Sequence, residues 1–377
     1  MPAAPLQDVD VLVIGGGQAG LAAGYYLNRL RRDEASGRSG PAPSFAILDA
    51  NPETGGAWQH YWSSLELFSP AAYSSLPGYP MPGWEGGGNP SADHVAQYLR
   101  TYEGRYKLPV HRPVRVASVR AATGGGYLTD TDRGQWTSRV VINATGSWSR
   151  PYVPLVPGSN RFTGQQLHTA DYRGPEPYAG RNVVVVGGGN SGAQIAADLA
   201  QAAAVTWVTR HPPRYLPDDV DGRALFDIAT RRVRALAAGE PAPAGVADLG
   251  DIVAVPAVRK ARDAGLLRAR PMFSRFVPDG VQWEDREQLD ADVVIWCTGF
   301  RPDLQHLQAL DLTTRNGVPA TDPALPTRSA DSPALFFLGY GDWCGPSSAT
   351  LIGVGAAARD TVSAAQMAQM APGFTAR

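Results

Sequence analysis

The sequence has few cysteines, no long run of apolar residues and no strong charge of either sign. Only Cys297 and Cys344 occur in 377 residues, so the chain has neither a disulfide framework nor a C-x-x-C redox pair. The N-terminal MPAAPLQDVD lacks a basic start, and the apolar stretch VLVIGGGQAGLAAGYYL is interrupted by glycines and short for a bilayer-spanning helix. These absences predict a soluble, cytoplasmic protein without a membrane partner.

Charge excludes a further class of partner. The chain has 34 basic and 35 acidic residues, a net charge of −1 and no long lysine or arginine run, so no nucleic-acid partner is predicted. Hydrophobic residues make up 44% and charged residues 18%, which is ordinary globular composition. The length predicts two to three domains.

One segment of the chain occurs twice: VDVLVIGGGQAGLAAGYYL from Val9 and RNVVVVGGGNSGAQIAADL from Arg181. Each begins with a β-branched run typical of a strand buried on both faces, continues with G-x-G-x-x-G, and ends in a helix-favouring stretch. The first glycine permits the tight turn, the second lets a pyrophosphate approach the backbone, and the third allows close packing of helix on strand. The predicted cofactor-binding residues are Gly15, Gly17, Gln18, Ala19 and Gly20 in the first motif and Gly187, Gly189, Asn190, Ser191 and Gly192 in the second.

The residues that follow each motif predict which dinucleotide binds. Asp49 ends the strand FAILDA, where a carboxylate can accept hydrogen bonds from a ribose; an exposed strand-end acid is the alternative. The equivalent strand TWVTRH ends in Arg210, whose guanidinium can bind a 2′-phosphate, assisted by His211 and Arg214. A solvated strand-end arginine is the alternative there. We therefore predict FAD at the first motif and NADPH at the second, with NADH left open.

Three other stretches fit a flavin enzyme. NPETGGAW places Gly56 and Trp58 directly after the ribose-binding strand, and VVINATGSW and VVIWCTGF each end a strand in a T-G turn. We predict that Ala144 and Gly146 at the first of these turns contact FAD. In GYGDW, Asp342 could hold the ribityl hydroxyls ahead of a Gly- and Ala-rich helix, or could simply cap that helix.

The loop FTGQQLHTADY lies between the two glycine motifs. It fits F-x-G-x-x-x-H-x-x-x-Y at Phe162, Gly164, His168 and Tyr172. This pattern resembles the fingerprint of flavin-containing monooxygenases; in the related Baeyer–Villiger monooxygenases an equivalent fingerprint ends with Trp. The resemblance extends from about residue 9 to about residue 365 and is closest to the short, soluble bacterial members.

The resemblance implies an α/β fold with two Rossmann-like dinucleotide-binding domains, similar to the glutathione-reductase-like flavoproteins. Residues 1–155 and 299–377 would form an FAD domain, interrupted by an NADPH domain at 156–298 with a helical insertion at about 212–273. His168 would position the nicotinamide rather than carry protons, although it could be a loop histidine with local hydrogen bonds only. An Asn that many relatives use near the flavin has no secure match; Asn89 in GGGNPS is a candidate for it.

The implied reaction is hydride transfer from NADPH to FAD, followed by activation of O₂ as a flavin (hydro)peroxide. This species would oxygenate a small organic substrate by sulfoxidation or N-oxidation, or attack a ketone in a Baeyer–Villiger oxidation. The sequence does not choose between them. The alternatives are an NADPH oxidase, a disulfide-reductase-like flavoprotein and a non-catalytic redox-sensing dinucleotide-binding protein. No metal is predicted.

Residues 58–84 hold seven aromatic side chains in 27 positions, with Pro and Gly typical of a loop. We predict an apolar substrate pocket lined by Trp62, Phe68 and Tyr73, unless the loop packs on its own rings or covers the flavin. Residues 218–236 show the apolar spacing of one helix face at Leu225, Ile228, Ala229, Val233 and Leu236. This helix could cover the active site or pack in a homodimer.

Overall fold

The structure, a computed structural model, describes residues 6–38, 40–218, 220, 228, 231, 250–345 and 347–370. Five helices are fully defined within these residues: α1 (Gln18–Ala35), α2 (Ala92–Tyr106), α3 (Asn190–Leu199), α4 (Pro256–Asp263) and α5 (Val354–Met370). The strands are β1 (Gln7–Ile14), β2 (Phe45–Leu48), β3 (Val110–His111), β4 (Val116–Ala121), β5 (Tyr127–Thr131), β6 (Gly134–Asn143), β7 (Gln165–His168), β8 (Asn182–Val186), β9 (Ala204–Thr209), β10 (Ala269–Pro271), β11 (Arg275–Val277), β12 (Gly280–Gln282), β13 (Gln288–Asp290), β14 (Val293–Trp296), β15 (Thr314–Arg315), β16 (Val318–Pro319), β17 (Thr321–Asp322), β18 (Leu325–Ser329) and β19 (Leu335–Phe337).

The first of two large sheets has the strand order β17-β18-β19-β6-β1-β2-β3, with the hairpin β4–β5 pairing antiparallel to β6. Its central strands β19, β6, β1, β2 and β3 are parallel. All four residues of β2 and the last four of β1 are buried, as expected for parallel strands covered on both faces. Helices α1 and α5 pack on each other beside this sheet, and α2 packs against α1.

The second large sheet is parallel throughout, with the order β10-β9-β8-β14-β7. Helix α3 packs on β8 and β9 and against α4. The chain enters this sheet between β6 and β7 and leaves it after β14, and the predicted boundaries at 155/156 and 298/299 lie in these two crossings. The predicted fold class, an α/β protein with two Rossmann-like units, is confirmed.

The two cores are joined through residues 58–84, here called the aromatic loop, and through the first residue of α2. Trp62, Leu65 and Ala92 lie outside the second sheet in sequence, yet their side chains belong to the apolar cluster built on β8, β14 and α3. The helix predicted at 218–236 lies outside the described residues apart from single positions. The rest of the predicted insertion contains α4 and β10. No helix in the described ranges is long and apolar enough to cross a bilayer.

Candidate active site

The first glycine motif forms the turn between β1 and α1. Gly15 has φ 109°, and a Cβ there would collide with the carbonyl oxygen of Ala144. A Cβ at Gly20 would collide with the carbonyl oxygen of Gly15, so α1 can approach β1 only with glycine at that position. Gly17 is the N-cap residue of α1, and because it has no side chain it accepts no hydrogen bond from the first amides of the helix. The first amides of α1 are therefore available to an anion.

The GGAW turn, residues 55–58, packs directly on this motif. Gly56 has φ 55°, and a Cβ there would lie 2.8 Å from Gly17 Cα. The indole Nε1 of Trp58 donates to Gln18 Oε1 at 2.9 Å, and Gln18 Nε2 donates to the carbonyl oxygen of Ala349 at 2.7 Å. The side chain of Gln18 thus ties the GGAW turn to the segment before α5.

A cavity of about 340 Å³ opens beside these residues. The predicted FAD contacts on its wall are Gly15, Gly17, Gln18, Ala19, Asp49, Gly56, Trp58, Ala144 and Gly146. Gly20 lies behind them in the contact between helix and strand. Asp342 is exposed and does not line this cavity; Gly339 and Ala349 line it instead. Helix α5 begins only at Val354, so Asp342 does not cap it.

Asp49 is buried rather than exposed at its strand end. Arg112 donates through Nε and Nη2 to Asp49 Oδ2 at 3.2 and 3.1 Å and binds Glu103 on its other side. Asn51 donates to Asp49 Oδ1 through its backbone and its side chain, both at 3.1 Å. The carboxylate is therefore held in a fixed orientation at the cavity wall, as a ribose acceptor requires.

A chain of buried hydrogen bonds supports the first T-G turn. The ring nitrogen Nε2 of His306 contacts Asn143 Oδ1 at 2.8 Å, and Asn143 Nδ2 donates to the hydroxyl of Tyr340 at 2.7 Å. That hydroxyl lies 2.7 Å from Thr145 Oγ1. Because His306 is buried, desolvation lowers its pKa to about 4, so the ring is neutral and donates from Nε2 to Asn143.

Aromatic rings line the part of the cavity nearest the second sheet. Trp148 stacks on Phe300 with centroids 5.0 Å apart and contacts Tyr61 edge-on at 4.5 Å. Burial raises the pKa of Tyr61 to about 12, so its phenol stays protonated. His60 contacts Asn51 through Nε2 at 2.9 Å, and burial, with the Arg173 charge, lowers the pKa of His60.

The three predicted substrate-pocket residues do not line this cavity. Trp62 is buried in the core of the second sheet, Phe68 borders a separate cavity of about 230 Å³, and Tyr73 lies in a short 3-10 turn. Asn89 borders the separate cavity too, and its Nδ2 donates to the carbonyl oxygen of Leu67 at 2.9 Å. The aromatic composition of residues 58–84 indicated enclosure, but it did not reveal that Trp58 and Tyr61 face the cavity while Trp62 faces the other way.

The second glycine motif repeats the first. A Cβ at Gly187 would collide with the carbonyl oxygen of Cys297, and one at Gly192 with that of Gly187. Gly189 precedes α3, and a Cβ on it would have no heavy atom within 4 Å, which leaves room for a pyrophosphate. Ser191 lies in the first turn of α3, whereas the Asn190 side chain already accepts from the backbone of Val253 at 2.8 Å.

The strand end after this motif is open to solvent. Arg210 and His211 are both exposed, and no ion pair within the described residues includes Arg210. Arg214, by contrast, is paired with Asp251 at 2.9 Å. Among the described residues, Arg210 therefore differs from Arg214 in being exposed without an ion pair.

The fingerprint loop packs into the second domain. Phe162 packs on Phe276, with ring centroids 5.0 Å apart, and a Cβ at Gly164 would collide with the Phe162 ring. Both ring nitrogens of His168 are used: Nδ1 accepts from the backbone of Ala170 at 3.1 Å and Nε2 contacts the carbonyl oxygen of Gly299 at 3.0 Å. A ring with one acceptor and one donor nitrogen is neutral, and burial lowers the pKa of His168 accordingly.

Neither cysteine is placed for redox chemistry with a cofactor in this cavity. Cys297 and Cys344 are both unpaired, and neither lines the cavity. Desolvation raises the pKa of the Cys297 thiol to about 12 and also raises that of Cys344. Within the described ranges, no group of three or more His, Cys, Asp or Glu side chains could hold a metal ion.

Comparisons with known proteins agree with this geometry. Residues 12–232 match the family model described as pyridine nucleotide-disulphide oxidoreductase. A solved flavin-containing monooxygenase from Stenotrophomonas maltophilia is 46% identical, with a TM-score of 0.83 over 96% of this chain and 99% of that one. An oxidoreductase described as CzcO-like, from Geobacillus kaustophilus, is 30% identical over 92% of this chain and 95% of its own. The indole-3-pyruvate monooxygenase YUCCA4 of Oryza sativa is 27% identical over 80% of this chain and 78% of its own.

Two glycine cradles with free helix amides fit two dinucleotides, and the relatives imply FAD and a nicotinamide coenzyme. The chain belongs to the pyridine nucleotide-disulphide oxidoreductase family and, within it, to the flavin-containing monooxygenases.

Proposed function

We propose that this enzyme is an NADPH-dependent monooxygenase that transfers one oxygen atom from O₂ to a small apolar organic molecule. Residues 1–155 and 299–377 would bind FAD, and residues 156–298 would bind NADPH. The observation that carries the proposal is the course of the main cavity. It runs from the first glycine motif, past Asp49, to the aromatic wall at Trp148 and Phe300 beside the second domain. These residues would hold FAD, which would supply the redox chemistry between the nicotinamide and O₂.

In this proposal the backbone around Gly17 binds the pyrophosphate of FAD, and Asp49 accepts hydrogen bonds from its ribose. Gly189 and Arg210 have the matching roles for NADPH, at the pyrophosphate and the 2′-phosphate. NADH would lack the partner for Arg210.

Three aromatic side chains support an apolar substrate and a dry site. Trp148, Phe300 and Tyr61 form the wall next to the second domain, and Tyr61 can offer its O–H as a donor there. Excluding water protects reactive oxygen species from wasteful release as hydrogen peroxide. Sulfides and amines are the substrates we favour, with Baeyer–Villiger oxidation of ketones as the alternative.

His168 would act by position, because neither ring nitrogen is free to move a proton. It contacts the carbonyl oxygen of Gly299, and its ring meets Phe300 edge-on, with centroids 4.8 Å apart. It thereby supports the turn at Gly299, which positions Phe300 on the cavity wall. A cytoplasmic location and a homodimer remain predictions from the sequence.

The test is anaerobic reduction by NADPH followed by a pulse of O₂, with absorbance recorded with and without a thioether. We expect NADPH to bleach the flavin and oxygen to produce a long-lived absorbance distinct from that of oxidised flavin. The thioether should shorten its lifetime and yield sulfoxide. Immediate reoxidation with stoichiometric hydrogen peroxide would indicate an oxidase, and no bleaching at all would indicate a binding protein.

A further inference from the structure

Helix α3 begins at the second dinucleotide motif and also contacts the aromatic loop of the first domain. Its N-terminus follows Gly189 in the second glycine motif. Gln194 and Asp198 lie four positions apart, on one face of the helix. Gln194 contacts Glu66 in the aromatic loop, and Asp198 contacts Tyr172 at the end of the fingerprint.

The amide of Gln194 pairs with the backbone of Glu66 through two hydrogen bonds. The N–H of Glu66 donates to Gln194 Oε1 at 3.1 Å, and Gln194 Nε2 donates to the carbonyl oxygen of Glu66 at 2.9 Å. This is the exchange that two residues make in an antiparallel sheet. Gln194 is only 9% exposed, so the contact is shielded from water.

The other edge of the same short segment is bonded to the start of α2. Leu67 donates its N–H to the carbonyl oxygen of Pro90 at 2.9 Å, and Ala92 donates to the carbonyl oxygen of Leu65 at 3.3 Å. Residues 65–67 therefore lie between α2 in the first domain and Gln194 in the second. The backbone polar groups of Glu66 have Gln194 as their partner on the side facing α3.

Apolar contacts follow the same path. The Trp62 ring is 1% exposed and meets the Tyr172 ring edge-on, with centroids 5.7 Å apart. The Tyr172 hydroxyl donates to Asp198 Oδ2 at 2.7 Å. The fingerprint tyrosine thus lies between α3 and the aromatic loop.

This loop also forms the wall of the main cavity. Trp58, His60 and Tyr61 line it, only a few residues before the segment that Gln194 binds. A shift of α3 relative to residues 65–67 would move the second glycine motif relative to that wall. A buried two-point hydrogen bond resists such sliding because it has one favourable register, whereas apolar packing alone has several.

We propose that Gln194 is a positioning residue, whose amide fixes α3 and its nicotinamide site in register with the flavin cavity through the backbone of Glu66. The proposal rests on the proposed function, since it takes the second motif as the nicotinamide site. Gln194 touches neither the glycines of that motif nor the main cavity, so its effect is on the alignment of two bound groups and not on the binding of either.

The test compares Gln194→Met, which keeps the shape but removes both hydrogen bonds, with Gln194→Asn, whose amide is too short to make both. Gln201→Met is the matched control, because Gln201 is exposed just beyond the same helix. We expect flavin reduction by NADPH to slow about 10- to 100-fold in both Gln194 variants, since small misalignments of reacting groups have effects of this size. The dissociation constant of NADPH and the FAD content should stay close to those of the wild type.

Two further measurements make the outcome decisive. Photochemical reduction of the flavin, which needs no nicotinamide, should proceed equally in all variants. The long-wavelength charge-transfer absorbance of a stacked nicotinamide and flavin should weaken only in the Gln194 variants. Wild-type reduction rates in Gln194→Met, or a loss of FAD and NADPH affinity that accounts for the slower rate, would overturn the positioning role. If NADPH fails to reduce the wild-type flavin, the proposed function itself fails.

Discussion

The turn glycines of the two motifs face equivalent obstacles: the carbonyl oxygen of Ala144 for Gly15, and that of Cys297 for Gly187. The strand ends that follow differ. Asp49 is buried and paired with Arg112, whereas Arg210 is exposed and has no ion pair among the described residues. The turn that forms the fold is therefore duplicated, while the strand end that follows it is not. The first strand end is built into a buried ion pair, and the second is exposed to solvent.

The two T-G turns, at Gly146 and Gly299, are also alike, but they are supported by different hydrogen bonds. A neutral histidine supports each one. His306 acts through Asn143 behind the first turn, and His168 contacts the carbonyl oxygen of Gly299 in the second directly. Both rings are buried, and in both burial lowers the histidine pKa. Acid should therefore weaken both halves of the molecule.

The strongest way to test the comparison is to replace two arginines in turn: Arg112, which binds the first strand-end acid, and Arg210 at the second strand end. Arg112→Met leaves the buried Asp49 and the partly buried Glu103 without their shared cation. Removing one partner of a buried ion pair costs about 3–5 kcal/mol. We expect the free energy of unfolding of the FAD-free protein, measured with urea, to fall by about that amount.

Arg210→Met is the matched control in the second unit. Its side chain is exposed, so the same measurement should change by less than about 0.5 kcal/mol. Equal losses in the two variants would show that the two strand ends do not differ as the structure indicates.

The second test is acidification. His306 titrates near pH 4 in the folded chain and near its ordinary pKa of 6.5 when unfolded. Between these values the unfolded state binds the extra proton, so the stabilisation is complete above about pH 6.5 and is lost as pH falls toward 4. The shift corresponds to about 3 kcal/mol, and the lowered pKa of His168 acts in the same direction.

Urea unfolding at several pH values measures this slope. His306→Gln can still donate to Asn143 but does not titrate, so the slope should become shallower in that variant. His211→Gln, at the exposed strand end of the second unit, should leave it unchanged. A slope that persists in full without His306 would contradict the assignment.

Sequence patterns predicted the parts of the site whose geometry is local. The glycines of each motif lie within one strand–turn–helix unit, so their spacing predicts the turn, and the position of Asp49 at the end of the next strand predicts a carboxylate there. Arg112 lies 63 positions from Asp49, and no local pattern connects them. His306 and Asn143 are 163 positions apart and meet only because the chain returns to the first sheet after the second.

The aromatic loop offers no such local pattern. Its many rings predict that Trp62, Phe68 and Tyr73 line a substrate pocket, but composition does not tell which core a ring enters, and these three do not line the main cavity. In a strand or a helix the residue spacing predicts which side chains share a face. An irregular loop has no such spacing, so the direction of each side chain cannot be predicted from the sequence. The G-x-G-D pattern predicts Asp342 at the flavin, yet Asp342 is exposed, and Gly339 and Ala349 are the residues of this segment that line the cavity.

The smallest expected effect is on coenzyme choice. Arg210→Ala removes the exposed guanidinium that we assign to the 2′-phosphate, and a hydrogen bond to a charged group contributes about 1.5–3 kcal/mol. The Michaelis constant for NADPH should therefore rise about 10- to 100-fold, while that for NADH, which has no such phosphate, should barely change. Arg214→Ala is the comparison: the guanidinium of Arg214 is paired with Asp251, which leaves the assisting role predicted for it without support, so its loss should affect both coenzymes alike. Equal effects of Arg210→Ala on the two coenzymes would make the second strand end a solvated arginine with no part in ligand selection.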